Sequence, residues 1–265
     1  MALVTCEITD GIAQVRLDRP AKLNALTLDL LEELAATAHR LRADKTLRAV
    51  VIAGEGDAFT AGLDFASVEG QPRRLALSFV PRPWRSGGTN LFQEACWAWR
   101  RLPVPVIAAV HGHCLGGGVQ IALAADFRFA HPDSSWSVLE GKWGIIPDMT
   151  GVRTLSELVG LDVAKRLTMT AETLSGKEAH DLGLVTELHP DPVTAATAFA
   201  QRLAQRSPDQ LAAAKRLFNG TWFTSARRTF SRERFEQLKL LRAPNTKIAR
   251  RAALKRETAV YRPRS

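Results

Sequence analysis

The chain has 265 residues, of which 46% are hydrophobic, enough for one substantial core. It has no run of about 18 uninterrupted apolar residues, so we expect no membrane span. Its three cysteines, Cys6, Cys96 and Cys114, are too few and too scattered for a disulfide framework or a four-ligand metal site. With no visible targeting segment either, these features indicate a reducing, cytoplasmic location.

The positive charge is concentrated at one end of the chain. Residues 201–265 carry 17 Lys and Arg against 4 Asp and Glu, whereas residues 1–200 carry 19 against 23. A basic tail favours an anionic partner, either a phosphorylated cofactor or a nucleic acid, but a solvated helical face would look the same. The tail lacks the interleaved aromatic residues of a single-strand binder, which disfavours nucleic acid.

The first ninety residues predict a hairpin, a helix, a strand and an irregular stretch. The alternating segment EITDGIAQVRLDR turns at Asp-Gly and predicts a hairpin. Helical spacing follows over residues 21–44, with Thr27 as the N-cap. A β-branched strand then runs into a glycine-rich loop over residues 47–65. Residues 66–90 have no clear periodicity and predict mostly loop or loosely held helix.

The rest of the chain alternates strand and helix before it becomes wholly helical. A helix is predicted over residues 90–102, then a buried strand in VPVIAAVHG and a helix from about Gly118 to Ala124. More strand is expected in DFRFAHPDSSWSVLE, and another helix in DMTGVRTLSELVG. The last sixty residues are expected to be helical, with Ser207 as N-cap and Pro208 at the first helical position. Strand signals stop near residue 200, which divides the chain into a core, 1–200, and a helical region, 201–265.

Three consecutive glycines precede the helix that ends at Ala124. Glycines at that place leave backbone N–H groups unpaired at the positive end of a helix, which suits an anion or a polarised carbonyl oxygen. Neither a Walker loop nor a spaced dinucleotide fingerprint is present. Tight packing of strand against helix is the alternative explanation. A second loop, FTAGLDF, favours function, because two loops can aim two N–H groups at one oxygen.

Several segments together resemble the enoyl-CoA hydratase/isomerase family, the crotonase superfamily. They are RPAKLNAL, AFTAGLDF, PVIAAVHGHCLGGGVQIALAAD, GIIPDMTGVRTL and LSGKEAHDLGLV, in the family's order, and AALKRETAVYRP resembles its C-terminal helix. The resemblance implies an α/β fold, a crotonase-like spiral of ββα turns with a C-terminal helical oligomerisation region. It also implies assembly as a homo-trimer or hexamer.

The resemblance implies an acyl-CoA thioester substrate, with coenzyme A as part of the substrate and no tightly bound cofactor. The backbone N–H groups of Leu63 and Gly117 would form an oxyanion hole for the thioester enolate. A Cβ at Gly117 would then block the approach of the thioester. Coenzyme A itself would contact five residues: Lys22, Leu23, Ala61, Asp64 and, near the C-terminus, Lys255.

Three further positions decide which reaction the resemblance implies. Hydratases of the family use two glutamates, and the matching positions here are Gln120 and Glu140. Glu140 is expected on one strand face with Trp136 and Val138, a setting that raises a carboxyl pKa; a surface glutamate at a strand end is the alternative. Asp148 lies where dienoyl-CoA isomerases of the family carry an aspartate, and the alternative is an N-cap of the following helix.

The favoured interpretation is therefore a double-bond isomerase in which Glu140 and Asp148 exchange protons with the substrate. A hydratase working with one glutamate, a non-catalytic acyl-CoA binder and an RNA binder remain open. His111 and His113 have no evident third ligand, so we expect structural roles and no metal. Trp84 and Phe92 are candidates for the lining of the acyl pocket.

Overall fold

The computed structural model describes residues 2–81 and 88–265. It begins with the hairpin that the alternating pattern predicts, β1 (Val4–Thr9) and β2 (Ile12–Leu17). Asp10 and Gly11 form the turn, and both have positive φ, 52° and 76°. This Asp-Gly turn matches the right-handed twist of the two strands, and the predicted hairpin is confirmed.

Two sheets form the scaffold. The larger has the strand order β1-β2-β3-β4-β6-β9 and is parallel from β2 onward. The smaller has the order β5-β7-β8. The remaining strands are β3 (Ala49–Gly54), β4 (Val106–Val110), β5 (His113–Leu115), β6 (Phe127–Ala130), β7 (Ser135–Ser137), β8 (Leu174–Ser175) and β9 (Glu187–Leu188).

Helices pack on this scaffold throughout the chain. Those of the first part are α1 (Leu28–Ala43), α2 (Phe65–Glu69), α3 (Pro72–Ser78), α4 (Leu91–Arg100), α5 (Gly117–Ala124), α6 (Gly151–Leu158), α7 (Leu161–Thr170) and α8 (Gly176–Asp181). Those of the last part are α9 (Pro192–Ala204), α10 (Pro208–Thr221), α11 (Ala226–Arg242) and α12 (Pro244–Lys255). None of the helices in the described ranges is both long and apolar enough to cross a membrane.

The chain repeats a unit of two strands, of which the first joins the large sheet and the second joins the small sheet. β4 lies in the large sheet, β5 in the small one, and α5 follows; β6 and β7 repeat the pattern. A bridge between Thr60 and Cys114 ties the loop after β3 to the small sheet in the same way. Because each unit turns at the same end of the sheets, the loops after β3 and β5 lie side by side.

Local chemistry sets several of the helix ends. The Thr27 hydroxyl accepts a hydrogen bond from Leu30 N at 3.1 Å, and the Ser207 hydroxyl accepts one from Gln210 N at 3.4 Å. Both predicted N-caps are confirmed, as is Pro208 at the start of α10. The helical tail is confirmed too.

The stretch over residues 66–90, predicted as mostly loop or loosely held helix, includes two short helices in its described part. Its described residues, 66–81 and 88–90, include most of α2 and all of α3. Gly70 and Pro72 interrupt the periodicity between the two short helices, which explains why the pattern concealed them. Trp84 lies outside the described residues.

The C-terminal helices are joined to the core by a buried lysine. Lys215 on α10 pairs with Asp126 at 2.7 Å and donates to the carbonyl oxygens of Trp99 and Val104. The division at residue 200 falls inside α9, which packs on β3 and β4. The division into a core and a helical region therefore stays a prediction, because residue 200 lies within a continuous helix.

Candidate active site

A cavity of about 720 Å³ opens where the glycine-containing loops meet. Its carboxylates are Glu140, Asp148 and, at the exposed rim, Glu69. The rest of its wall is chiefly hydrocarbon, supplied by residues from α2, α3, α4 and the turn before α6, among them Val68, Leu75, Phe79, Phe92, Ile146 and Met149. A cavity of this size and polarity suits an apolar acyl group.

Two backbone N–H groups border this cavity without a partner. The loop at Leu63 is held on both sides by Leu26, whose N–H donates to Gly62 O at 2.8 Å and whose carbonyl accepts from Asp64 N at 2.9 Å. Leu63 N itself donates no hydrogen bond to any described residue, and neither does Gly117 N, which opens α5. Both residues line the cavity. Both donors are therefore available to a ligand in this cavity, and their convergence on one oxygen stays a prediction.

Gly116 and Gly117, two of the three consecutive glycines, lie in different surroundings. Gly116 has φ 52° and ψ −120°, a conformation that side chains rarely adopt, and a Cβ there would lie 3.6 Å from Glu140 Oε1. A Cβ at Gly117 would lie 2.8 Å from Leu26 Cδ1 and 2.9 Å from Met149 Sδ. A side chain at Gly117 would therefore press on both neighbours, and the expectation that its Cβ would obstruct the thioester stays a prediction. Sequence reasoning overlooked Gly116.

Glu140 does not lie on a strand. β7 ends at Ser137, and Glu140 is in a 3₁₀ helix, Leu139–Trp143, so the expected strand face shared with Val138 is wrong. The side chain is nevertheless enclosed, since Glu140 is 6% exposed, and the alternative of a surface glutamate is wrong as well. Its Oε2 is buried with no hydrogen-bond partner in the described chain. Burial, as the largest cause, raises the pKa of Glu140.

Gln120 holds Glu140 and does not reach the cavity. Its Nε2 donates to Glu140 Oε1 at 2.6 Å, and its Oε1 accepts from Gly151 N at 2.8 Å. Because a backbone N–H can only donate, the Gly151 bond identifies Oε1 and leaves Nε2 facing the carboxylate. Gln120 is 1% exposed and is not part of the cavity wall. Its place is behind Glu140, where it orients the carboxylate.

Asp148 lines the same cavity as Glu140. It is not a helix cap, because α6 begins at Gly151 and Thr150, with φ 78°, occupies the N-cap position. Burial raises the pKa of Asp148, and the charge of Asp148 contributes to raising the pKa of Glu140. Two carboxyl groups with raised pKa values in one cavity are suited to accepting and returning protons.

Of the five residues expected to contact coenzyme A, one belongs to the wall of the cavity. Ala61 lines it, and Lys22 and Leu23 are exposed at the end of a short 3₁₀ turn. Asp64 caps α2 by accepting from Ser67 N and forms an ion pair with Arg19 at 2.7 Å, which lowers the Asp64 pKa. Lys255 is exposed at the end of α12 and is not part of the wall.

The structure also shows the positions of His111 and Phe92. His111 Nε2 lies 2.8 Å from Gly56 O, a contact between neighbouring loops. No group of three or more metal-binding side chains occurs within residues 2–81 and 88–265. Phe92 lines the cavity, with its ring centroid 4.9 Å from that of Phe79.

Comparison with known proteins gives concordant matches. Residues 7–247 match the family model described as enoyl-CoA hydratase/isomerase. A probable enoyl-CoA hydratase of Bacillus subtilis (strain 168) is 33% identical over 218 residues, 80% of each chain. The mitochondrial Delta(3,5)-Delta(2,4)-dienoyl-CoA isomerase of Homo sapiens is 33% identical over 204 residues, 74% of this chain and 62% of the isomerase. A crystal structure of enoyl-CoA hydratase from Bacillus anthracis has a TM-score of 0.89 at 26% identity, covering 98% of both chains.

Proposed function

The chain belongs to the enoyl-CoA hydratase/isomerase family, and from that membership we propose that it moves double bonds along the acyl chain of a CoA thioester. The favoured substrate class is the dienoyl-CoA esters. Coenzyme A takes part as a portion of the substrate, and the residues of this chain supply all of the acid–base chemistry.

The observation that carries this proposal is the placement of the carboxyl groups. Glu140 and Asp148 both line the cavity, whereas position 120 is an amide buried behind Glu140. Hydration in the family's two-glutamate arrangement uses a carboxylate at position 120 to activate water. Here both functional atoms of Gln120 are engaged by Glu140 and Gly151, and an amide cannot accept a proton near neutral pH.

The isomerisation follows from two carboxyl groups and two N–H donors. One carboxylate removes a proton from C2 of a 3,5-dienoyl thioester, and the electron pair of the broken C–H bond spreads to the thioester oxygen. The N–H groups of Leu63 and Gly117 bind that oxygen, each worth about 2.7–4 kcal/mol in the transition state. The other carboxyl group delivers a proton to C6, which leaves double bonds at C2 and C4.

Hydration of a 2-enoyl-CoA is the second candidate. The Bacillus subtilis relative described as a hydratase supports it, and a single glutamate with the same oxyanion donors could direct water to C3. A non-catalytic acyl-CoA binder would use the same cavity.

RNA binding would depend on the basic residues of the last 65 positions. Replacement of their arginines by glutamate would then change the affinity for RNA and its dependence on salt concentration.

The test compares initial rates on a 3,5-dienoyl-CoA and a 2-enoyl-CoA of equal length. We expect the wild type to favour the dienoyl ester and Asp148→Asn to lose at least 100-fold on that ester. Circular dichroism of the variant controls for folding. Fast wild-type hydration that is insensitive to Asp148→Asn would contradict the proposal, and the absence of turnover with tight ester binding would identify a binder.

Assembly and location complete the proposal. We expect a homo-trimer or hexamer in which residues 201–265 supply much of the contact between chains. A cytoplasmic location stays a prediction, with the three unpaired cysteines of the chain as its support.

A further inference from the structure

A second cavity, of about 490 Å³, lies between the core and α10. It shares no lining residue with the cavity that contains Glu140 and Asp148. Most of its wall is hydrocarbon, and the apolar side chains that matter here are Leu123, Phe127, Leu158, Leu211, Phe218 and Trp222. Nothing in the isomerisation chemistry above uses this cavity.

Five charged side chains interrupt the apolar wall, three cations and two anions. Asp126 is paired with Lys215 at 2.7 Å, and Glu157 is paired with Arg100. Glu157 is also paired with Arg153 at 2.8 Å, so both carboxylates are already neutralised. Arg128 is left over as the third cation.

Arg128 is a buried charge that forms no direct ion pair with the described residues, although the charge of Asp126 acts on it. It is 5% exposed, and its Nε and Nη1 donate to the neutral carbonyl oxygens of Leu184 and Ala125, at 2.6 and 2.9 Å. Within the described parts of the chain it forms no ion pair, and its Nη2 donates no hydrogen bond. Burial lowers the pKa of Arg128 to about 10, so the guanidinium remains charged at neutral pH. A buried cation without a partner is costly, and an anion beside it would relieve that cost.

The cavity also touches the two helices that position the active site. α5 begins at Gly117, beside the first cavity, and Leu123 near its end lines the second. α6 begins at Gly151, which donates to Gln120, and Glu157 near its end lines the second cavity. A ligand here would contact the far ends of both helices.

We propose that the second cavity binds a carboxylate with a hydrocarbon body. The carboxylate head would pair with Arg128 through Nη2, since Nε and Nη1 already donate to backbone carbonyls and a hydrogen bond between two charged groups is strong. The hydrocarbon chain would lie against the apolar wall supplied by α5, α6 and α10. A single negative charge balances the single excess positive charge of the wall, which favours a monoanion over a phosphate dianion.

The experiment is calorimetric titration of the full-length protein, in its solution assembly, with decanoate and with decanol as the uncharged control. Two variants test the site. Arg128→Gln removes the unpaired charge, and Arg227→Gln, which removes an exposed arginine on α11, is its matched control for net charge. Ala214→Trp fills the cavity from α10, at a residue that takes part in none of these ion pairs and does not line the active-site cavity.

We expect one decanoate per chain and at least tenfold weaker binding of decanol. Arg128→Gln should weaken decanoate at least tenfold, Arg227→Gln should leave it within twofold of wild type, and Ala214→Trp should abolish it. If Arg128→Gln fails to fold, Ala214→Trp still decides the matter. Undetectable binding to the wild type, binding that survives Ala214→Trp, or equal binding of decanol would overturn the proposal. None of these outcomes depends on whether the enzyme is an isomerase or a hydratase.

Discussion

The side-chain amide of Gln120 and the carboxylate of Glu140 are joined by a hydrogen bond of 2.6 Å, 20 residues apart in the chain. The amide is fixed in turn by the N–H of Gly151 at the start of α6. Since the bond favours the ionised carboxylate, it lowers the pKa of Glu140 against the stronger effect of burial. Gln120 therefore fixes the direction of one Glu140 oxygen and opposes the rise in its pKa that burial causes.

Replacing Gln120 by Met tests that role with a side chain of similar length and no amide. Loss of a hydrogen bond to a charged group costs about 1.5–3 kcal/mol, or roughly 10–100-fold in kcat. KM should change little, because Gln120 does not line the cavity. The pKa of Glu140 should rise, so the acidic limb of the pH–rate profile should move to higher pH. An unchanged limb would show that Gln120 serves packing alone.

Gly116→Ala should impair both stability and turnover. A side chain at φ 52° and ψ −120° costs about 1–3 kcal/mol, and the new methyl would lie 3.6 Å from Glu140 Oε1. We expect a lowered free energy of unfolding by urea denaturation and at least a tenfold loss of kcat. Gly70→Ala is the matched control, since its Cβ would meet no atom closer than 3.6 Å and Gly70 has an ordinary φ of −65°. Equal effects of the two variants would contradict the role of Gly116.

The elements that could be predicted from sequence are those fixed by neighbours in the chain. The Asp10-Gly11 turn and the Thr27 and Ser207 caps depend on contacts within three residues. The strand predicted through Glu140 failed because alternation continues past Ser137, whereas strand pairing stops there. Periodicity measures which side chains are apolar, and it does not measure where a neighbouring strand ends.

The sequence predicts only those candidate site residues that lie within recognisable motifs. Leu63, Gly117, Glu140 and Asp148 were found because their segments resemble a family, and all four line one cavity. The bond from Gly151 to Gln120 spans 31 residues and has no local signature. Long-range contacts of this kind decide whether a polar side chain faces the ligand or supports the residue that does.

Lys22→Gln should weaken binding of the nucleotide end of coenzyme A. Lys22 is exposed beside Leu23, and an exposed cation paired with a phosphate is worth about 1 kcal/mol or less. We expect KM for a CoA ester to rise roughly 3–5-fold with kcat unchanged. KM for the corresponding pantetheine thioester, which lacks the nucleotide, should not change. Lys255→Gln is the companion variant, and a KM rise on both thioesters would exclude a phosphate contact at either lysine.

The assembly prediction depends on the outer face of α11. Phe230, Phe235, Leu238 and Leu241 are each more than half exposed there, and apolar side chains clustered on one helix favour contact with another chain. Light scattering at micromolar concentration should give a trimer or hexamer. Phe235→Glu together with Leu238→Glu should shift the mass toward the monomer, while Arg227→Gln should not. A monomeric wild type would contradict the prediction.

The last prediction concerns the coupling of the two carboxyl groups. Burial raises the pKa of both Glu140 and Asp148, and the charge of Asp148 raises that of Glu140 further. The group that acts as base must be ionised, so the rate should fall as pH drops through a pKa above the usual carboxyl value of about 4.3. The group that acts as acid must be protonated, so the rate should also fall at higher pH and give a bell-shaped profile.

Asp148→Asn removes the negative charge beside Glu140, and the pKa of Glu140 should therefore decrease. Carboxyl ¹³C NMR of the variant and of the wild type would measure this decrease directly. Residual turnover in Asp148→Asn should lose one limb of the bell. A Glu140 resonance that titrates at the same pH in both proteins would show that the two carboxyl groups do not interact, and the paired proton transfer would then be wrong.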